Sequence, residues 1–190
     1  MSATGRIIGV VLLAGCGGAN AGQSDPQACA PVAAPEATMD AGRLAGDFAV
    51  RLVADSGAKR GATTEGRLQL APQDSAHRRL ELPDGSTSST YTFPLAGTAA
   101  VDFAAVGAVA PGDPESVDQE SPGVLVIERP GQILLRVGSE ANRRGARRFD
   151  GAYTVLRVQQ VTEQGFAGTW ESGVDMDRSG GHFCAHRTAG

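Results

Sequence analysis

Three residues near the C-terminus, His182, Cys184 and His186, recur at every second position. On an extended strand that spacing projects all three from one face, and two imidazoles beside a thiolate are a donor set that zinc accepts. Just upstream, Asp175, Asp177 and Ser179 place oxygens at alternate positions ahead of Gly180, which is the first half of a calcium loop. The second half fails, because the position that should hold a bidentate glutamate is His186. The same residues suit a hairpin turn, rich in Asp, Ser and Gly. Arg143, Arg144, Arg147 and Arg148 gather charge that could face anionic headgroups or an acidic ligand, with Glu140 and Asp150 near enough to offset part of it. For catalysis the inventory is thin. His77, His182 and His186 are the only histidines, and the chain has no G-x-S-x-G, no H-E-x-x-H and no phosphate-cradling glycine loop. No catalytic residue, metal or cofactor is assigned, and an enzyme is not expected.

The N-terminus carries a different chemistry. Arg6 is followed by an apolar run, Ile7 to Leu13, then by Ala14, Gly15 and Cys16, the order of a secretory signal peptide. A run of roughly 8 to 10 apolar residues is far short of the ~20 that span a bilayer as a helix. Leu13, Ala14, Gly15 and Cys16 resemble the lipobox of bacterial lipoproteins. The resemblance implies cleavage after residue 15, acylation of Cys16 as the first mature residue, and a membrane as partner through that anchor. Gly17 in place of an aspartate implies an outer-membrane rather than inner-membrane destination in that family. With Cys16 given to lipid, Cys29 and Cys184 are an even remainder in an oxidising compartment, so they are expected to form a disulfide. That bond would consume the thiolate a metal needs at residues 182–186.

The 190-residue chain has a formal net charge of −4, which argues against nucleic acid as a partner. What remains after the leader fits one domain with a real core. Residues 16–41 are mostly Ala, Gly, Pro, Ser and Gln and read as a flexible tether, leaving 42–190 as the folded body. From Leu44 the pattern turns to period two. Leu44, Gly46, Phe48, Val50 and Leu52 point one way, while Asp47, Arg51 and Asp55 point the other. Similar stretches follow at Gly66–Ala71, Arg78–Leu82, Tyr91–Leu95, Ala99–Ala105, Gln132–Val137, Ala152–Val161, Gly165–Gly173 and His182–Arg187. Val124–Ile127 reads as a strand buried on both faces, Pro83–Ser86 and Arg129–Gly131 as turns, and Gly107–Pro122 as a long polar loop. With no amphipathic helix, the reading is all-β: a single antiparallel up-and-down barrel of about 8 to 9 strands, with a β-sandwich as the alternative.

Gly46, Asp47 and Phe48 open the first strand, and Arg187 stands near the end of the last. This is similar to calycins such as lipocalins, in which a first-strand Gly-x-Trp packs under an arginine of the last strand. Here Phe48 replaces the tryptophan, and the actual Gly-x-Trp, Gly168 to Trp170, falls in the penultimate strand. Two functions remain open: a barrel that holds a small apolar or amphipathic ligand between Phe48, Phe93, Phe103 and Trp170, or a plugged barrel that works as a structural or interaction partner of other envelope proteins. Interior volume separates them.

Overall fold

A computed structural model describes residues 29–73, 78–81, 87–110, 122–138, 153–174 and 177–188. Strand β1 (Gly46–Ser56) sets the pattern of the fold, with Phe48, Val50, Leu52 and Ala54 buried while Asp47, Ala49 and Asp55 are exposed. The same alternation runs through β2 (Thr63–Pro72), β5 (Leu95–Val101), β6 (Gly123–Arg129), β7 (Gln132–Val137), β8 (Tyr153–Val161) and β9 (Gly165–Val174), while in β10 (Asp177–Arg187) the four residues His182 to Ala185 are buried in succession. These eight strands close on one another in the order β1, β10, β9, β8, β7, β6, β5, β2, and every neighbouring pair is antiparallel. The remaining pair, β3 (Arg78–Glu81) and β4 (Thr87–Tyr91), forms a separate two-stranded sheet between β2 and β5. Closure leaves the wall without an open edge.

Closing eight strands requires strong coiling, and Gly97 shows where. A Cβ there would sit 1.7 Å from the Gln69 carbonyl oxygen across the β2–β5 ladder, so only glycine allows the two backbones to approach.

Each end of the barrel is covered by a short 3-10 turn. Ala41–Leu44 precedes β1 and closes the end where β1 begins, called here the lower end; Ala41 and Leu44 are both 0% exposed. Phe103–Val106 follows β5 at the upper end, with Phe103, Val106 and the nearby Ala108 buried. Asp40 caps the first turn by accepting the Gly42 N–H, and Asp102 caps the second by accepting the Ala105 N–H. Between the plugs the inward side chains form one apolar cluster.

The sandwich alternative is excluded by the closed wall, and several element expectations are corrected. Leu44 is not the first residue of a strand but the end of the lower plug. Tyr91–Leu95 is not a strand: Tyr91 ends β4, Thr92 makes a single bridge to Glu128, and Leu95 begins β5. Ala99–Ala105 is strand only to Val101, after which the chain turns. Val124–Ile127 is buried on one face, through Val124 and Val126, with Leu125 and Ile127 half-buried on the other. Asp177–Gly180 is part of β10, paired with Val174 to Glu171 of β9. Leu82, Pro83–Ser86 and Ser139–Asp150, with its arginines, lie outside the described residues.

Candidate functional site

The four proposed lining residues stand at different levels. Phe48 lies at the lower end, where its ring meets Phe166 edge-on at 5.0 Å, and Phe166 meets Phe183 at 5.9 Å. Trp170 lies nearer the upper end, and its indole N–H donates to the Val53 carbonyl at 3.0 Å. Phe103 belongs to the upper plug, while Phe93, half-buried, precedes β5 and its carbonyl accepts from the Gln73 amide at 2.8 Å. The structure therefore does not bring the four around one cavity. From Leu70 and Leu95 near one end to Ala54 and Trp170 near the other, the apolar inward side chains of the strands are 5% exposed or less, apart from the half-buried Val101. A void that admits water leaves its lining accessible, so these residues pack against one another.

The lower end carries the arrangement that the calycin resemblance implies. Phe48 and Arg187 are register partners across β1 and β10, and the guanidinium carbon stands 4.8 Å above the Phe48 ring centroid. The fork then reaches over the plug: Nη1 donates to the Ala45 carbonyl at 2.8 Å and Nη2 to the Arg43 carbonyl at 3.0 Å. Gly46, at φ +132°, leaves the room, since a Cβ there would lie 2.4 Å from Nη1.

At the upper end the polar contacts come from two residues the sequence reading passed over. Thr154 and Ser172 are register partners on β8 and β9, both inward and buried. Ser172 Oγ accepts the Val109 N–H at 2.9 Å, donates to the Tyr153 carbonyl at 2.9 Å and lies 2.8 Å from Thr154 Oγ1, which donates to the Val109 carbonyl. Ser179 Oγ donates to the Gly107 carbonyl at 2.5 Å. The pair thus satisfies the backbone of a chain segment laid across the mouth. Their signal in the sequence is two polar residues at inward positions of otherwise apolar strands.

On the outside of the wall, His182, Cys184 and His186 share a face of β10 as expected but do not act together. His182 is 7% exposed, and its Nδ1 sits 2.8 Å from Asp55 Oδ2. Cys184 is joined to Cys29 by a disulfide with a Cα separation of 5.5 Å. Among the described residues no group of three or more His, Cys, Asp or Glu side chains is placed to hold a metal. The calcium reading loses its loop, since Asp177 and Ser179 are in a paired strand; Asp175, Met176, Cys16 and His77 lie outside the described residues. Of the segment read as a tether, residues 29–41 are fixed to the barrel, through the disulfide at one end and the lower plug at the other. Concavities on the outer wall include one of about 500 Å³ beside Asp47, Arg67, Gln69 and Thr98, and one of about 590 Å³ between residues 30–34 and the lower rim of β8, β9 and β10.

No family model matches the chain, and no curated protein matches it. Among solved structures, one described as "Structure of EF1p2_mFAP2b bound to DFHBI" is similar over 78% of this chain and 96% of its own, at 9% identity and a TM-score of 0.39. Nothing is transferred from it at that distance. The chain's own geometry defines its class: an eight-stranded antiparallel up-and-down barrel, with a disulfide binding its N-terminal segment to its last strand.

Proposed function

We propose that this chain is an envelope lipoprotein, held to the outer membrane by acyl chains on Cys16, whose barrel is filled by its own side chains and which works through its outer surface as an interaction module. The observation that carries the choice between a binding barrel and a plugged one is the interior. Val124, Val126, Leu135, Leu52 and Phe183, drawn from four strands, are each 0% exposed, whereas a ligand pocket of the usual 300–1,000 Å³ leaves its lining open. Eight strands enclose a space that side chains can fill. The polarity of the wall supports a soluble body beside the membrane: Asp47, Asp55, Glu65, Arg67, Arg157 and Glu171 alternate with the apolar inward residues, the reverse of a barrel that faces lipid. Among the described residues no helix is long and apolar enough to cross a membrane. The leader and Cys16 support the anchor by their resemblance to the lipobox, and two or three acyl chains suffice for stable attachment.

Native mass spectrometry of the protein extracted from membranes tests both parts. The expected mass is the chain from Cys16 plus its acyl groups and nothing else. A co-purified small molecule would restore the ligand-binding reading, and an unacylated chain, or a Cys16→Ser variant that still sediments with membranes, would remove the anchor.

A further inference from the structure

Residues 29–36 run along the lower rim of the barrel as a strap with two pins. One is the Cys29–Cys184 disulfide on β10. The other is Glu36, whose N–H donates to the Gln159 carbonyl at 2.8 Å and whose Oε2 accepts the Val161 N–H at 3.3 Å. The second pin is a piece of strand pairing. The β7–β8 ladder reaches only Ile133 and Val158, and the β8–β9 register slips between Val158 and Gln160, so the last turn of β8 offers backbone groups that the neighbouring ladders do not take. Glu36 takes them instead, as an added strand would. Between the pins, Pro31 to Ala34 border the groove of about 590 Å³ whose other wall is Gln160, Gln164, Ala167 and His186.

None of residues 30–38 is buried, so the strap has no packing of its own. Two hydrogen bonds do not offset the ordering of seven residues, 30–36, and the covalent pin decides whether the strap stays.

We propose that the disulfide is a latch, and that a dithiol reductant opening it exposes the Gln159–Val161 rim and its groove to an extended, carboxylate-bearing peptide segment of a partner protein. The proposal deepens the proposed function, resting on its reading of the outer surface as the working face, and it is independent of the lipid anchor. The chemistry is thiol–disulfide exchange: a thiolate of the dithiol attacks a sulfur of the bond, reached from the half-exposed Cys29, and the dithiol's second thiol resolves the mixed disulfide. The protein gains two electrons and two protons as two thiols, and the reductant leaves as a disulfide. The carboxylate requirement follows from the group that already fills the site, since Glu36 uses both its amide and its side chain.

Hydrogen exchange on the full chain, oxidised and reduced and as Cys29→Ser, reads the latch directly. The Glu36 and Val161 amides should exchange at least tenfold faster once the bond is open and end with little protection, while Leu135 in the core loses only what the lower global stability takes from it and stays strongly protected. Unchanged exchange at Glu36 and Val161, or loss of protection at Leu135 in step with them, overturns a local latch. A fluorescein-labelled peptide of the strap's length, which keeps its glutamate and carries leucine in place of Val32, Ala33 and Ala34 so that it fills the groove the strap leaves open, reads the rim by anisotropy. It should bind the full-length Cys29→Ser/Glu36→Ala variant at least tenfold more tightly than the oxidised wild type, and a copy with glutamine for the glutamate should lose that preference. Equal binding to both proteins, or to neither, refutes the docking surface. A cargo found inside the barrel would overturn the proposed function and leave these readouts as they are, so the two failures are distinguishable.

Discussion

Arg187→Ala should cost the barrel about 2 to 3 kcal/mol. The guanidinium makes two charge-assisted hydrogen bonds, to the Ala45 and Arg43 carbonyls, and stacks on Phe48. Bonds to a charged partner are worth about 1.5–3 kcal/mol when shielded, and Arg187 is exposed, so the low end or less applies to each. The stack adds about 0.5–1 kcal/mol at an exposed site. Arg187→Lys keeps the charge and loses the fork, because an ammonium cannot reach both carbonyls in one plane, and should recover no more than half of the loss. Urea unfolding followed by the emission of Trp170, the single tryptophan, measures both variants, with an unchanged m-value as the condition for comparing them. Gly46→Ala supplies the cross-check. Its Cβ would displace Nη1, so in the double variant the two losses should fall short of their sum. A loss below about 0.5 kcal/mol for Arg187→Ala, on the scale of an ordinary surface substitution, or strict additivity with Gly46→Ala, would refute the idea that this arginine holds the lower plug.

Gly97→Ala should prevent closure of the wall and give insoluble protein, because the new Cβ would meet the Gln69 carbonyl; soluble, cooperatively folding variant protein contradicts this. Emission from Trp170, 2% exposed in the native core, should shift to the red on unfolding, and Trp170→Phe, followed by far-UV circular dichroism in urea, should lose about 0.5 to 1.5 kcal/mol through the hydrogen bond to the Val53 carbonyl. Thr154→Val removes the hydroxyl that meets Val109 and Ser172, and should speed hydrogen exchange at the Val109 amide while leaving Glu36 unaffected. Replacing both Cys29 and Cys184 by Ser should lower stability by about 2 to 5 kcal/mol, chiefly through the unfolded chain, the entropy model giving about 5 for the 155-residue separation; denaturant midpoints of the oxidised protein and the double variant measure it.

The wall was legible because one buried and one wet face impose a period of two, which Phe48–Val50–Leu52 and Phe166–Gly168–Trp170 display without interruption. The plugs were not. Leu44 continues the phase of Gly46 and Phe48, and Phe103 continues that of Ala99 and Val101, so both read as one more inward strand position. What distinguishes them is a capping aspartate one residue before each turn, Asp40 and Asp102, with Gly107 in the left-handed region at φ +74° ending the second. Those are signals about backbone geometry, and period-two reading does not weigh them. Asp177–Gly180 failed in the opposite sense: its composition favours a turn, but pairing with Glu171–Val174 across the hairpin outweighs local preference. The disulfide was reachable only by counting cysteines; Glu36 and the Asp55–His182 contact carry no pattern in the sequence, because each depends on two segments meeting across a wall closed from residues more than a hundred positions apart.

The placement of the disulfide follows from what packing can and cannot hold. The two plugs flank strands directly and bury Ala41, Leu44, Phe103 and Val106 to 4% exposure or less, and each fully buried large apolar side chain is worth about 1.5–3 kcal/mol. They need only polar trimming from Arg187, Thr154 and Ser172 to be fixed in place. Residues 30–38 have no such side chain to bury, their content being Ala, Pro, Val, Glu and Thr at exposed or half-buried positions. Ordering them costs about 1 kcal/mol or more per residue, and the hydrogen bonds of Glu36 return about 1 each. A covalent bond at the far end of that segment is therefore the interaction on which its position depends. The same reasoning makes the strap, rather than either plug or any strand, the part of the described molecule whose position one chemical event can change without disturbing the core.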